Sequence, residues 1–393
     1  MTSNNNAYHS RPFSRRAFVL GSTAAAVGLI ATACGSDAKK SSTTAPTASS
    51  SAGSTAPSSA TTESSSSATS VAPDTSVAGS ADAGKLTRVT LALDYIPSPS
   101  HDGLAVADAQ GYFAEQGIKL EILPYGATAS DALVASGQAD FGIVFGATYG
   151  VTAFAAGLPV TSVFVIYQHN PSALGVLESS KFTRPADLAG HTYGGFGSPV
   201  EIASVNEMIK KDGGTGTADQ VVLSIGAYDA VGNGDVDCAF FYADDIYNAE
   251  KNGHPIRSFD SAEYGLPDNY GQLVLVSNDY LKNNADLVKG FVAALQKGYQ
   301  FAVDTPADAE KILLDYFPDQ LDAGLVAAVS AVQTKRLYVN GDGGPVGGQT
   351  VERWQATADF LFGLGLLVDA NGDKLKSSLD VTPFINDTFV TGS

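Results

Sequence analysis

The sequence has few of the residues on which metal-site and hydrolase chemistry depends. It contains two cysteines and five histidines among 393 residues. The histidines stand far apart, without His-x-x-x-His or Glu-x-x-His spacing, so neither a disulfide framework nor a metal site is indicated. A Gly-x-Ser-x-Gly elbow, a P-loop and a dinucleotide fingerprint are also missing. These absences argue against the common catalytic classes and predict that the protein uses no cofactor.

The sequence also has few basic residues. The chain has 23 Lys and Arg residues against 41 Asp and Glu residues, which gives a formal net charge of −18. Residues 1–33 contain three arginines and no acids, so their removal takes the net charge to −21. A chain this acidic is not expected to bind nucleic acid, and its charge is typical of a solvated surface.

The amino-terminal segment carries the features of an export signal. Arg15 and Arg16 precede the uncharged residues 18–33, and small residues stand directly before Cys34. The apolar stretch is too short for a secure membrane span, so the pattern predicts a removable signal peptide over residues 1–33, with lipid attached to Cys34. The arginine pair fits twin-arginine export, with an ordinary cationic n-region as the alternative. The mature protein should therefore be anchored to the outer face of the cell membrane.

Residues 34–84 consist almost entirely of Ser, Thr, Ala and Pro. Such a composition cannot bury enough apolar surface to offset chain entropy, so it predicts a disordered tether. The sequence becomes globular after Lys85, and its pattern alternates between strands and helices. Strands are predicted over residues 89–93, 119–124 and 141–145, with helices over 104–116 and 129–136. This alternation is typical of an α/β sheet.

An internal echo predicts two similarly built lobes. Residues 136–145 resemble residues 233–242, because each segment reads as a helix ended by Gly, an Asp and a buried strand. We expect residues 85–172 and 276–393 to form the first lobe and residues 173–275 the second, with crossings at 173–177 and 272–277. Amphipathic helices over 284–303, 306–317 and 350–364 should return to the first lobe. Cys238, in an apolar run, is expected to be buried.

Several segments of the folded part carry a family resemblance. Asp-Tyr-Ile-Pro at 94–97 and Gly-Ser-Pro-Val-Glu at 197–201 are the more specific ones, and Gly-Tyr-Phe at 111–113 and Ala-Asp-Phe-Gly at 139–142 are shared with sulfonate and nitrate binders. Residues 85–367 resemble the thiamine-pyrimidine-precursor branch of the periplasmic substrate-binding proteins of ABC importers. Further matching segments are residues 211–214, 267–270 and 289–302.

The resemblance implies a fold class and a function. The fold would be the α/β two-lobed periplasmic binding protein fold of type II, in which each lobe is a mixed sheet flanked by helices. The protein would be a monomer that binds an aminopyrimidine of the formylaminopyrimidine or hydroxymethylpyrimidine type between the lobes and delivers it to an ABC permease and ATPase. The alternatives are an aliphatic sulfonate, nitrate or other small anion and, further off, an enzyme like the eukaryotic pyrimidine synthases, which share the fold and use histidine with iron.

The resemblance also implies site residues. Glu201 would be the ligand carboxylate, and Asp94 and Tyr95 would lie beneath the ring. The sequence departs from the family at Asp244-Asp245, where relatives tend to have Trp-Glu, so the acid is kept and the indole is lost. The predicted ligand-binding residues are Asp94, Tyr95, Ser98, His101, Gly197, Glu201, Tyr242 and Asp245.

Each main site residue also has a structural interpretation. An ionised Glu only accepts hydrogen bonds, so Glu201 suits an amine-bearing or cationic ligand, but an acid is equally favoured in the first turn of a helix. Tyr95 could stack on a heterocycle or pack on its own lobe. His101 could contact the ligand or cap the helix that begins near Gly103. Asp140 is expected to fix the turn before its strand.

Overall fold

The computed structural model describes residues 86–223, 226–341 and 343–392. The predicted signal peptide over 1–33, the lipidation site Cys34 and the tether over 34–84 lie outside the described residues. Within the described ranges, no helix is both long enough and apolar enough to cross a membrane.

The first lobe is built on a five-stranded mixed sheet. Its strands are β1 (Thr87–Ala92), β2 (Ile118–Leu123), β3 (Phe141–Val144), β4 (Val160–Val165) and β10 (Leu273–Ser277). They lie in the order β2-β1-β3-β10-β4, with β2, β1 and β3 parallel and β10 antiparallel to both of its neighbours. The three strands predicted from the pattern are confirmed, with ends that differ by one or two residues.

The second lobe repeats this arrangement. Its strands are β5 (Ala173–Leu177), β6 (Thr192–Gly195), β7 (Asp219–Val222), β8 (Cys238–Phe241) and β9 (Ile256–Phe259), in the order β7-β6-β8-β5-β9. Strands β7, β6 and β8 are parallel, and β5 is antiparallel to β8 and β9. The predicted α/β fold with two mixed sheets is therefore confirmed.

The internal echo has a matching hydrogen-bond pattern in each sheet. Asp140, before β3, accepts hydrogen bonds at Oδ2 from the backbone N (2.7 Å) and Oγ1 (2.9 Å) of Thr90 in β1. Asp237, before β8, accepts the same two bonds from Thr192 in β6, each at 2.8 Å. Each aspartate ties its strand to the neighbouring parallel strand, so the side chain of Asp140 has a structural role between strands and not the expected one within the turn.

The expected crossing segments belong to the sheets themselves. Strand β5 lies inside the second sheet because it pairs with β8 and β9, and β10 lies inside the first sheet because it pairs with β3 and β4. The chain crosses before each of these strands, in residues 166–172 and 260–272. The lobe boundary predicted between residues 275 and 276 falls within β10, whose register places the whole strand in the first sheet.

Nine helices of the described residues surround the first sheet and three the second. The single helix predicted over 104–116 is two helices, because Gly111 adopts a left-handed φ of 76° and interrupts it. The first-lobe helices are α1 (Asp102–Ala109), α2 (Tyr112–Glu115), α3 (Ser130–Ala135), α4 (Ala147–Ala155), α8 (Asn278–Asn283), α9 (Ala285–Asp304), α10 (Pro306–Tyr316), α11 (Ala323–Val332) and α12 (Val351–Gly363). The second-lobe helices are α5 (Pro199–Lys211), α6 (Ala227–Gly232) and α7 (Ala243–Lys251).

The carboxy-terminal helices pack on the first lobe, as predicted. Helix α9 crosses α1 so closely that a Cβ at Gly298 would lie 2.1 Å from the carbonyl oxygen of Gly103. The next residue, Tyr299, donates a hydrogen bond from its hydroxyl to the Ser100 carbonyl (2.8 Å). Helix α9 therefore fixes the position of the loop after β1. In the second lobe Cys238 is fully buried in the core, as expected, and burial raises the pKa of its thiol.

Candidate ligand-binding cleft

Candidate site residues, only some of which were predicted, lie at the carboxyl ends of parallel strands in both sheets. Asp94 and Tyr95 follow β1, and Phe145 follows β3 in the first lobe. Phe196 follows β6, and Tyr242 follows β8 in the second lobe. Open α/β sheets bind ligands at this edge, so the topology brings the candidate residues to the ligand-binding side of each lobe.

Asp94, Ser98 and His101 form one hydrogen-bonded unit under the first-lobe side of the cleft. Asp94 is 3% exposed, and its Oδ1 lies 3.2 Å from His101 Nε2. Gln272 Nε2 donates to Asp94 Oδ2 (2.7 Å), and the Ser98 backbone N–H donates to His101 Nδ1 (3.1 Å). Because Nδ1 accepts, the proton belongs on Nε2 and is donated to Asp94. His101 thus caps the turn before α1 and orients Asp94.

A second buried acid lies behind this unit and was missed by sequence reasoning. Asp102 Oδ1 accepts from the Gly103 backbone N–H (2.5 Å) and the Tyr338 hydroxyl (2.6 Å), and Gln333 Nε2 donates to Oδ2 (2.8 Å). Burial raises the pKa of Asp102 to about 7 despite these bonds. Gln333 belongs to a π-helical turn (Gln333–Leu337) more than 200 residues away along the chain, so no local motif could reveal the cluster.

A row of aromatic rings lines the first-lobe wall. The Tyr95 centroid lies 5.4 Å from that of Tyr125 and 6.2 Å from that of Phe145, and the Phe145 ring lies 5.7 Å from Tyr149. Tyr125 is 49% exposed and Tyr149 is 40% exposed. Tyr95 packs on its own lobe, as one interpretation proposed, but the row as a whole leaves ring surface open to a ligand. Tyr125, Phe145 and Tyr149 were not predicted.

Glu201 lies on the second lobe at the third position of α5. Ser198 caps this helix, Pro199 is its first residue, and the Phe196 backbone N–H donates to Glu201 Oε2 (2.9 Å). Gly197 adopts a φ of 87°, which favours glycine, so its predicted place at the site reflects loop geometry. Glu201 is therefore a first-turn helix acid, and it also points into the loop that borders the cleft.

The charge of Glu201 acts on a side chain of the first lobe. Burial raises the pKa of Glu201, and the bonds from the 196–198 backbone only partly oppose this. Burial, followed by the charge of Glu201, raises the pKa of the Tyr149 phenol to about 12. The carboxylate of the second lobe is therefore close enough to act on a ring of the first-lobe aromatic row.

Tyr242 and the pair Asp244 and Asp245 follow β8, at the same edge of the second sheet as the loop after β6 that leads to Glu201. Asp245 Oδ2 accepts from the Tyr242 backbone N–H (3.0 Å) at the start of α7. Burial and then the neighbouring Asp244 raise the pKa of Asp245 to about 7. Both acids also act across the cleft, since burial followed by Asp245 and Asp244 raises the pKa of Tyr95.

Glu201, Asp244 and Asp245 form no ion pair with a Lys, Arg or His within the part of the chain that is described. Burial raises the pKa of all three carboxyl groups, and backbone amides only partly oppose it. Asp94 is bound by His101 and Gln272 below the surface. Across the described ranges no group of three or more His, Cys, Asp or Glu side chains could hold a metal ion. The cleft combines exposed aromatic rings with negative charge.

Comparisons with known proteins agree with this architecture. The chain is 30% identical over 291 residues to a formylaminopyrimidine-binding protein of Halalkalibacterium halodurans, which covers 72% of this chain and 87% of that protein. It is 27% identical over 336 residues to the riboflavin-binding protein RibY of Chloroflexus aurantiacus, covering 82% of this chain and 91% of RibY.

A solved structure shows the same fold. The alkanesulfonate-binding protein SsuA of Xanthomonas axonopodis pv. citri superposes with a TM-score of 0.59 at 18% identity, over 78% of this chain and 100% of that protein. The family described as NMT1/THI5 like matches residues 98–309, which run from the Ser98 turn through both sheets into α10. On the family match and the 30% identity together, the chain belongs to the NMT1/THI5-like family.

Proposed function

We propose that the protein is an extracytoplasmic solute-binding protein of an ABC importer and that it binds a thiamine-related aminopyrimidine of the formylaminopyrimidine or hydroxymethylpyrimidine type. One observation carries the proposal: the charges of Glu201, Asp244 and Asp245 of the second lobe act on Tyr149 and Tyr95 of the first-lobe aromatic row, and none of the three acids forms an ion pair among the described residues. The 30% identical relative is named for binding a formylaminopyrimidine, which supports the same ligand class.

The cleft chemistry suits an amine-bearing flat ring. An ionised carboxylate accepts hydrogen bonds, so Glu201 can receive an exocyclic amine or a protonated ring nitrogen. The aromatic row offers ring faces for stacking. A sulfonate or nitrate would place its negative charge close to these three carboxyl groups. The repulsion between like charges would weaken its binding. The shared fold with an alkanesulfonate binder therefore does not extend to the ligand.

Riboflavin is the second candidate, because a riboflavin-binding relative matches 82% of the chain. Its ring system would also stack on the aromatic row. A neutral flavin, however, gives the three acids no cation to bind, so the negative charge of the cleft favours the aminopyrimidine.

A thermal-stability screen of the purified protein tests the ligand class. A ligand at about 100 times its Kd stabilises the folded state by about 2.7 kcal/mol. We expect formylaminopyrimidine or its hydroxymethyl analogue to raise the melting temperature, and an alkanesulfonate and nitrate to leave it unchanged. Each compound is recovered afterwards and analysed by mass spectrometry. Stabilisation by the sulfonate alone, or conversion of the pyrimidine, would contradict the proposal.

The affinity for the aminopyrimidine should rise with pH. The pKa of Asp245 is raised to about 7, so its carboxyl group is protonated below that pH and negatively charged above it. A cationic or amine-bearing ligand favours the charged form, so affinity should rise about three- to tenfold between about pH 6 and pH 8, after correction for the ligand's own titration. Asp245→Asn should flatten this slope. An unchanged slope in Asp245→Asn would assign the titration to another group, such as Asp102.

We also propose that the signal peptide over 1–33 directs export and that lipid on Cys34 anchors the mature protein, which would then pass its ligand to the permease and ATPase. Cys34→Ala should release the protein from the membrane fraction or block its processing, because the acylated residue is lost. Cys238→Ala is the matched control, since Cys238 is buried in the second lobe and should not affect localisation. Fractionation that finds Cys34→Ala membrane-bound with a mature-length amino terminus would disprove the anchor.

A further inference from the structure

We propose that Phe196 is the second-lobe ring that covers the bound heterocycle opposite the first-lobe aromatic row. The inference deepens the proposed function and rests on it, because it requires a flat ring in the cleft. Phe196 follows β6, which pairs in parallel with β8 through Tyr193↔Cys238 and Gly194↔Ala239. It therefore leaves the second sheet at the same edge as Tyr242, which follows β8.

Phe196 is held next to the ligand carboxylate through its backbone. Its N–H donates to Glu201 Oε2 (2.9 Å), and a Cβ at Gly195, the preceding residue, would lie 2.7 Å from the same oxygen. The left-handed φ of Gly197 (87°) and the Ser198 cap of α5 fix the chain on the other side. These contacts hold the backbone of Phe196 beside Glu201.

The exposure of Phe196 has no explanation within its own lobe. The ring is 59% exposed, whereas Tyr193 in the preceding strand is buried and packs edge-on against Phe240 at 5.8 Å. Exposing an aromatic ring of this size forgoes the burial that normally stabilises a fold. A ring that the core does not use, fixed beside a ligand-binding group, is available for a ligand to cover.

The loop that carries Phe196 also reaches the first lobe. Val200, four residues on, packs against the first-lobe core cluster that contains Ala147 of α4. Tyr149 belongs to the same helix and has its pKa raised in part by Glu201. The loop that carries Phe196 and the helix that carries Tyr149 therefore approach Glu201 from opposite lobes, and an aromatic residue on each side is what encloses a flat ring between two faces.

The tryptophan of the chain is not available for this position. Trp354, the single tryptophan, is fully buried in the first-lobe core, where it packs edge-on against Phe384 at 5.1 Å.

Calorimetric titration with formylaminopyrimidine tests the inference. Stacking of one base on an aromatic side chain is worth roughly 1–3 kcal/mol by alanine substitution, so Phe196→Ala should weaken binding about 5- to 150-fold. Phe196→Leu, which keeps apolar volume without a ring face, should recover only part of the loss. Val368→Ala, a 36% exposed apolar position outside the cleft loops, is the control and should bind like the wild type. The melting temperatures of all three should match the wild type, because both positions are exposed.

A fluorescence measurement separates this inference from the proposed function. In Phe196→Trp the new indole is the exposed one, since Trp354 is buried, so quenching by acrylamide reports on position 196. Ligand should reduce the quenching constant about twofold or more as the ring becomes covered. Two results would overturn the inference alone, provided that the wild type binds the ligand. One is a quenching constant in Phe196→Trp that does not change with ligand, and the other is an affinity of Phe196→Ala within about threefold of wild type. Absence of wild-type binding would overturn the proposed function and the inference with it.

Discussion

Replacing Glu201 with glutamine is expected to weaken aminopyrimidine binding by about 30- to 1,000-fold, or roughly 2–4 kcal/mol. The variant exchanges a charged acceptor for a neutral amide. The NH₂ group of this amide and the amine of the ligand are both donors, so they cannot form a hydrogen bond with each other. The amide oxygen can still accept from the Phe196 backbone N–H, so the loop should keep its shape. Calorimetric titration of both proteins measures the change, and the melting temperature should move little.

Glu207→Gln is the matched control for that experiment. Glu207 lies on the same helix and pairs with Lys210 (3.2 Å) and Lys211 (3.8 Å), away from the cleft residues. Such surface pairs contribute about 0–1 kcal/mol, so its binding and stability should stay close to wild type. If Glu201→Gln binds the aminopyrimidine within about threefold of wild type, Glu201 is only a first-turn helix acid. Tighter binding of a sulfonate by Glu201→Gln, with no loss for the pyrimidine, would favour the anion alternative.

Replacing Asp94 with alanine is expected to destabilise the first lobe by about 2–6 kcal/mol, because it leaves two buried donors without acceptors at about 1–3 kcal/mol each. His101 Nε2 and Gln272 Nε2 both lose their hydrogen bonds to this carboxylate. Asp94→Asn keeps one oxygen acceptor and should fall between alanine and wild type. Chemical denaturation measures the free energy of unfolding for each variant.

Asp304→Ala controls for the loss of a carboxylate in the same lobe. Asp304 is exposed at the end of α9, so its replacement should change the free energy of unfolding by no more than about 0.5 kcal/mol. A stable Asp94→Ala protein that has lost ligand binding would show that Asp94 is a ligand group and that the His101 and Gln272 bonds contribute little. Loss of both properties together is the expected result, because the bonded unit positions Tyr95.

The sequence predicted the fold well where local pattern determines structure. The strands before Asp94 and after Asp140 could be predicted from local sequence. A short apolar run predicts a buried strand, and a Gly followed by an Asp marks the end of the preceding helix. The echo between residues 136–145 and 233–242 was informative for the same reason, and it corresponds to the paired Thr90 and Thr192 bonds. The crossings between lobes were predicted at β5 and β10, but the chain crosses in the loops before these strands. The apolar pattern of a buried strand does not tell whether the chain changes lobe at that strand or before it.

The site was only partly predictable. Glu201 and Asp245 were proposed from the family resemblance, and each lies in the first turn of a helix that follows a strand. Asp102 and Gln333 could not, since they meet through a π-helical turn from the far carboxy-terminal region. Tyr125, Tyr149 and Phe196 were not predicted either, because an aromatic residue after a strand is as typical of a packed ring as of a ligand contact.

The central claim is that an acidic, aromatic cleft between two lobes selects an amine-bearing flat ring over an anion. Isothermal titration of the wild-type protein with formylaminopyrimidine and, separately, with an alkanesulfonate at the same pH and salt tests this claim most directly. The structure predicts saturable binding of the pyrimidine, with a Kd about 100-fold or more below that of any sulfonate response. Equal or tighter binding of the sulfonate would contradict it.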